Sequence, residues 1–257
     1  MTDFKSLLLP KDGLMALIPA LVAEFIGTML FQLLGGISDP SFAYSGTFIN
    51  GMTLMVLIYA TASVSGGHLN PAVSLMAFAL GKQSLIATAA YNAVQYTGAI
   101  CGSALAAALI PSAMVGAGSG PGCFSPAGSV SSLQVFGWEA IMTGLLGFVV
   151  ASTAMSRLGQ GSHAPLAIGF TLFVSASGIG QFTGSFINPA RVVGPVAVFQ
   201  CSEQFEASTW IYILSEYSGA LIGGLAYVAT HKFRDLMAAR KLDAGGLENK
   251  HAGCMEV

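Results

Sequence analysis

Apolar residues in this chain run in long, nearly unbroken stretches rather than alternating with polar ones. Six stretches stand out, at about 14–36, 45–65, 84–110, 133–156, 164–181 and 207–231. Each approaches the roughly 20 apolar residues that a helix needs to cross a hydrocarbon core about 30 Å thick. Two shorter apolar runs, 70–80 and 188–199, follow interruptions by polar residues, and as helices they would reach about 16 Å, half the distance. Lipid offers the backbone no hydrogen bonds, so only helices or closed barrels can span it, and long continuous runs favour helices. The pattern predicts an all-α membrane protein with six transmembrane helices and two re-entrant half-helices.

The same pattern occurs twice. Glu24-x-x-x-Thr28 matches Glu139-x-x-x-Thr143 at a shift of 115, and Gly51-Met-Thr53-Leu54 matches Gly169-Phe-Thr171-Leu172 at 118. Asn70-Pro71-Ala72 matches Asn188-Pro189-Ala190 at 118, and Gln95-Tyr96-Thr97-Gly98-Ala99 matches Glu216-Tyr217-Ser218-Gly219-Ala220 at 121. A shift that grows in order along the chain is that of a repeat with small loop insertions. Each copy holds three spans, an odd number, so the second lies inverted relative to the first. Inverted repeats place a shared site near the bilayer midplane, commonly on broken helices. The expected organisation is a short N-terminus (1–13), a channel-like unit (14–231) and a tail (232–257). Within the unit, one repeat covers about 14–110, a Gly-, Ser- and Pro-rich linker 111–132 and the second repeat about 133–231.

Composition agrees with a bilayer setting. Of 257 residues 54% are hydrophobic and 9% charged, against about 25% charged in soluble domains. A net charge of −2 gives no ground for nucleic-acid binding. No cleaved leader is expected, since the first residues mix Asp3 and Asp12 with Lys5 and Lys11 and the first apolar stretch is long enough to remain as a span. With six spans, one side receives Lys5, Lys11, Lys82, Arg157, Lys232, Arg234, Arg240, Lys241 and Lys250, and the other only Arg191. That bias puts both termini in the cytoplasm. Cys101, Cys123, Cys201 and Cys254 lack metal-ligand spacing. Cys123 and Cys201 both fall on the outer side, where a disulfide could join them; free thiols are the expectation.

Asn is a favoured N-cap and Pro a favoured first helical residue, so each Asn-Pro-Ala starts a helix. The cap uses the side-chain oxygen and leaves the NH₂ group to donate into a lumen. The two N-termini would meet in the middle, each carrying about half a positive elementary charge. A water molecule there gives its oxygen to Asn70 and Asn188 and turns its hydrogens away, which breaks the wire needed for proton hopping.

On GGHLNPAV, INPAR, Ala23-Glu24-Phe25-Ile26-Gly27-Thr28 and the half-to-half pattern, the chain resembles the aquaporin (major intrinsic protein) family from about residue 14 to 231. The resemblance implies a right-handed bundle, one pore per subunit and a homotetramer in the bilayer. It implies no cofactor and no metal. It assigns the selectivity constriction to Asn50, Ala176, Ser185 and Arg191, and gives Glu24 and Glu139 the task of holding the loops before the two motifs. His68 becomes a structural or pore-lining side chain. Strict water channels of the family set Phe and His where Asn50 and Ala176 stand, and glycerol channels carry Asp where Val192 stands. A mid-sized polar residue at 50 and small ones at 176 and 185 predict a wider, polar opening.

Glu216 stands where relatives usually have Pro, and is read as a packing residue or, more weakly, a titratable modulator. His163 is read as a solvated loop residue. The expected function is a passive channel for water and small neutral solutes such as glycerol, urea, ammonia or hydrogen peroxide, excluding protons and ions. The rivals are a proton-coupled solute transporter and a structural membrane junction protein. No nucleophile–base pair suggests an enzyme.

Overall fold

The structure is a computed structural model that describes residues 7–10, 13–37, 45–111, 120–124, 126, 128–199, 201–234 and 237. Lys5, Lys11, Arg240, Lys241, Lys250, Cys254 and the Lys232 side chain lie outside the described residues, as do parts of the linker and most of the tail.

Among the described residues, eight helices carry the fold. They are α1 (Ile18–Gly36, preceded by the 3-10 turn Met15–Leu17), α2 (Ser45–Ser65), α3 (Pro71–Ala79), α4 (Leu85–Leu109), α5 (Ser132–Val150), α6 (Ala164–Thr183), α7 (Pro189–Val198) and α8 (Glu203–Tyr227). The ends of α5 and α8 continue as single π-helical turns, Ala151–Met155 and Val228–Lys232. No strand occurs among the described residues. Five of the long helices are long and apolar enough to cross a membrane. The sixth, α4, has 25 residues but carries polar groups at its centre. Most of these pair inside the protein: Asn92 Nδ2 donates to Tyr217 Oη at 3.1 Å, Tyr96 and Tyr217 hydroxyls pair at 3.0 Å, and buried Gln95 donates to Glu24, while Asn92 Oδ1 is left without a partner.

Local chemistry sets the helix ends. Serines 84, 131 and 202 cap α4, α5 and α8, and Gln134 completes a capping box with Ser131. The half-helix α3 stops because Gly81, at φ +71°, turns the chain so that Lys82 N–H donates to Ala77 O at 2.8 Å.

The packing is two-fold symmetric in outline. α1 lies along α4 and α5 along α8, while α2 crosses α6 at the junction of the two repeats. The half-helices exchange neighbours: α3 packs on α8, and α7 on α4. Small residues make these approaches close. Ala99 and Ser103 receive α7 at Gly194, and Gly219 and Gly223 bring α8 onto the α5 backbone at Ala140 and Gly144. At the α2–α6 crossing the equivalent glycines 51 and 169 face one another. A Cβ on Gly169 would lie 2.6 Å from the Gly51 carbonyl oxygen, and one on Gly51 would lie 2.7 Å from that of Gly169.

Cys123 and Cys201 form a disulfide with Cα atoms 5.4 Å apart, which overturns the expectation of free thiols. The linker folds back over α7, with Gly122 against Pro195 and Gly120 against Phe199. Two cysteines 78 residues apart in sequence thereby meet. Cys101 is a free, exposed thiol on α4.

The α2–α6 crossing generates a test. Gly169→Val should cost about 1–3 kcal/mol or more through overpacking, read as earlier unfolding in detergent. Gly178→Val on the same helix meets nothing within 4 Å and should leave the unfolding midpoint nearly unchanged.

Candidate functional site

Asn70 and Asn188 cap the half-helices identically. Each side-chain oxygen accepts from the backbone N–H two residues on, Ala72 at 2.9 Å and Ala190 at 3.1 Å. Pro71 and Pro189 fill the first helical position, where an N–H has no partner to lose. The NH₂ groups are less open than the sequence suggests. Asn70 Nδ2 donates to Ile187 O and Asn188 Nδ2 to Leu69 O, both at 2.8 Å. Leu69 and Ile187 are held at φ +49° and +42°, which offers each carbonyl to the opposite asparagine. One N–H of each amide is thereby used to join the half-helices tip to tip, and one remains.

Two buried carboxylates hold the loops in that shape. Glu24 Oε1 accepts from Ser65 Oγ at 2.6 Å and His68 N–H at 2.9 Å, and its Oε2 from Leu69 N–H at 2.7 Å. Glu139 Oε1 accepts from Thr183 Oγ1 at 2.6 Å and Phe186 N–H at 3.3 Å, and its Oε2 from Ile187 N–H at 3.0 Å. These are equivalent bonds in the two repeats. A third equivalent pair was not singled out from sequence: Tyr91 Oη donates to Ser65 O at 2.8 Å, and Tyr212 Oη to Thr183 O at 2.7 Å. Both tyrosines sit at the shift of 121, so the repeat itself was the signal. His68 Nδ1 lies 3.1 Å from Ser74 Oγ, and its ring lines a cavity.

That cavity, of about 530 Å³, includes both Asn70 and Asn188 among its walls. None of Asn50, Ala176, Ser185 or Arg191 lines it. Their partners in the other repeat, 118 residues earlier or later, are Ile168, Ile58, Gly67 and Val73, and all four do. The open volume therefore lies on the side of the junction where the equivalent positions are apolar or glycine.

On the other side Arg191 is buried and stands over the ring of Phe31, with its Cζ 4.4 Å from the centroid. Arg191 Nη1 donates to Asn50 Oδ1. Ser185, at φ +51°, is buried, and its backbone N–H donates to Thr183 Oγ1 at 3.3 Å. Ala176 is half-buried on α6, one turn beyond the cavity-lining Leu172. Phe31 was not among the residues singled out from sequence. It lies two turns after Glu24 on the same helix face, and Leu146, two turns after Glu139, is its cavity-lining equivalent. Among the described residues no three His, Cys, Asp or Glu side chains gather as a metal-holding group.

Residues 14–227 match the sequence profile of the family described as Major intrinsic protein. The chain is 32% identical over 223 residues to aquaporin PIP1-5 of Zea mays, covering 80% of this chain and 76% of that protein. It is 33% identical over 234 residues to probable aquaporin PIP2-8 of Arabidopsis thaliana, covering 83% and 80%. It is 32% identical over 223 residues to aquaporin TIP1-2 of Zea mays, covering 81% and 84%. The X-ray structure of the aquaglyceroporin from Plasmodium falciparum superposes with a TM-score of 0.71 at 22% identity, covering 85% of this chain and 99% of that one. At that identity the likeness is one of fold.

The repeats differ at one supporting position. Gln95 Nε2 donates to Glu24 Oε2 at 2.8 Å and to Ser74 Oγ at 3.0 Å. Its equivalent is Glu216, and the equivalent of Ser74 is Val192. Glu216 is fully buried and neither of its oxygens has a partner at normal hydrogen-bond geometry, although the Asn188 backbone N–H and the Arg191 charge act on its carboxyl group. A buried polar group left unpaired costs about 1–3 kcal/mol, more if charged. Glu216→Gln, which supplies the amide donor that Gln95 supplies to Glu24, should therefore raise the unfolding midpoint in detergent. A lowered midpoint would show that the carboxyl group has a stabilising partner.

Proposed function

Because the chain belongs to the major intrinsic protein family, a family of passive transmembrane channels rather than enzymes, we propose that it conducts water and small uncharged solutes through a pore of its own. The observation that carries the reading is the junction of two N-capped half-helices, joined by crossed asparagine–carbonyl bonds, at the wall of a cavity. Asn70 and Asn188 each keep one N–H to donate to a permeant oxygen. Both helix N-termini disfavour a cation there. A water molecule bound through its oxygen cannot pass a proton along the line, so water moves and protons do not.

The cut-off is set on the outer side by Arg191 with Asn50, Ala176 and Ser185. The four inner equivalents line the cavity, which supports placing these four around the same pore on the other side. A fixed positive charge repels cations and donates to neutral solutes. Ala176 and Ser185 are small, which favours passage of glycerol, urea, ammonia or hydrogen peroxide beside water. Glu24 and Glu139 hold the pore loops, and His68 is a wall residue braced by Ser74. Neither a coupled transporter nor a purely structural role finds support in the family.

The unit 14–231 is the channel, and four chains assemble as a homotetramer in a bilayer. Both termini face the cytoplasm, on the nine-to-one distribution of basic residues.

Stopped-flow swelling of vesicles containing the protein tests the reading under water, glycerol and urea gradients, with proton leak followed in parallel. Wild type should conduct all three without proton flux. Arg191→Ala should raise glycerol and urea flux severalfold and admit a cation or proton leak. Rapid water flux with glycerol and urea at the level of empty vesicles would overturn the wide filter.

A further inference from the structure

We infer that this chain builds its outer filter against the first span: Asn50 and Phe31 fix the Arg191 guanidinium over α1, and Phe31 supplies the aromatic wall that positions 50 and 176 lack. The inference rests on the channel reading above and names the residues that position its arginine and limit solute size.

Four observations converge. The guanidinium lies over the Phe31 ring, at 4.4 Å from Cζ to centroid, where a cation is attracted by the ring face, most strongly in a desolvated setting. Asn50 Oδ1 accepts from Arg191 Nη1. The Asn50 amide is itself aimed, because its Nδ2 donates to Gly46 O at 2.8 Å on α2 and to Gly35 O at 3.3 Å on α1. Gly35, one turn beyond Phe31 on the same face, leaves the room. A Cβ there would lie 2.5 Å from Asn50 Oδ1 and 2.7 Å from Arg191 Nη2. Asn50 is thus a tether whose oxygen is committed to the arginine, rather than a loose polar lining group.

The inverted repeat provides an internal control. The equivalents of Phe31, Asn50 and Arg191 are Leu146, Ile168 and Val73. On the same scaffold these three aliphatic residues line the open cavity. Where the trio is Phe, Asn and Arg, Phe31 still borders the cavity while Asn50 and Arg191 do not. The same scaffold carries an apolar wall with one trio and a charged, hydrogen-bonded one with the other. A wall made of an arginine held over an aromatic ring suits slim neutral solutes carrying an acceptor oxygen. It rejects branched or longer polyols.

The test is vesicle swelling with water, glycerol and the four-carbon polyol erythritol, each solute flux divided by water flux so that the amount of folded channel cancels. Phe31→Ala and Asn50→Ala should each raise the erythritol-to-water ratio at least about threefold. Asn50→Asp, which keeps an acceptor for Nη1 while losing the donations to Gly46 O and Gly35 O, should bring the ratio back below that of Asn50→Ala, a partial rescue that a merely structural role would not give. If Phe31→Ala carries no water flux, Asn50→Ala and its rescue decide. Wild-type ratios in both alanine variants, beside a raised ratio in Arg191→Ala, would overturn the inference and leave the channel reading standing. No water flux in wild type above empty vesicles would overturn the channel reading itself.

Discussion

Two carboxylates hold everything else in place. Glu24 and Glu139 lie fully buried, each facing the loop that runs into a half-helix, and each takes up backbone N–H groups that would otherwise be buried without a partner. A carboxylate only accepts, so it can gather several donors at once where a neutral side chain could not. The donors come from a hydroxyl and consecutive amides, and satisfying them forces Leu69 and Ile187 into the left-handed region. Such a conformation is costly for non-glycine residues and persists only where its surroundings over-determine it. Here that cost presents two carbonyls to the opposite asparagines, and the half-helices meet tip to tip.

On this symmetric frame the chain mounts an asymmetric passage. Val73 and Arg191 occupy equivalent places one residue beyond the two motifs, as do Ile168 and Asn50. The frame equalises backbone geometry, and the side chains then decide that one half borders an apolar-walled cavity while the other holds a buried arginine tied to Asn50 and Phe31. Function follows from that division of labour. On the function proposed above, the shared frame supplies the paired asparagines and opposed helix ends that pass water without protons, and the unshared side chains choose among solutes.

The symmetry also shows where the second half departs from the first. Gln95 braces Glu24 and Ser74, whereas its equivalent Glu216 makes no such bonds, and Val192 stands where the repeat would place the equivalent of Ser74. The linker disulfide falls in the same half and ties the turn around Gly122 to the start of α8. The second half-helix is therefore held from outside by a covalent link, as well as from inside by Glu139.

What the amino-acid order determined on its own was everything with a local cause. The long apolar stretches, the caps of the half-helices and the doubling of the motif depend on residues within a few positions of one another, and all were legible without coordinates. Contacts between distant segments were not. That Asn188 would spend one N–H on Leu69, that Phe31 would lie under Arg191, and that Cys123 would find Cys201 each depended on how separately formed helices and loops pack. Periodicity reports which face of a helix is apolar. It does not report which neighbour that face meets or at what distance, and only the packed structure, where close-approach glycines and buried donors must be reconciled together, decided those pairings.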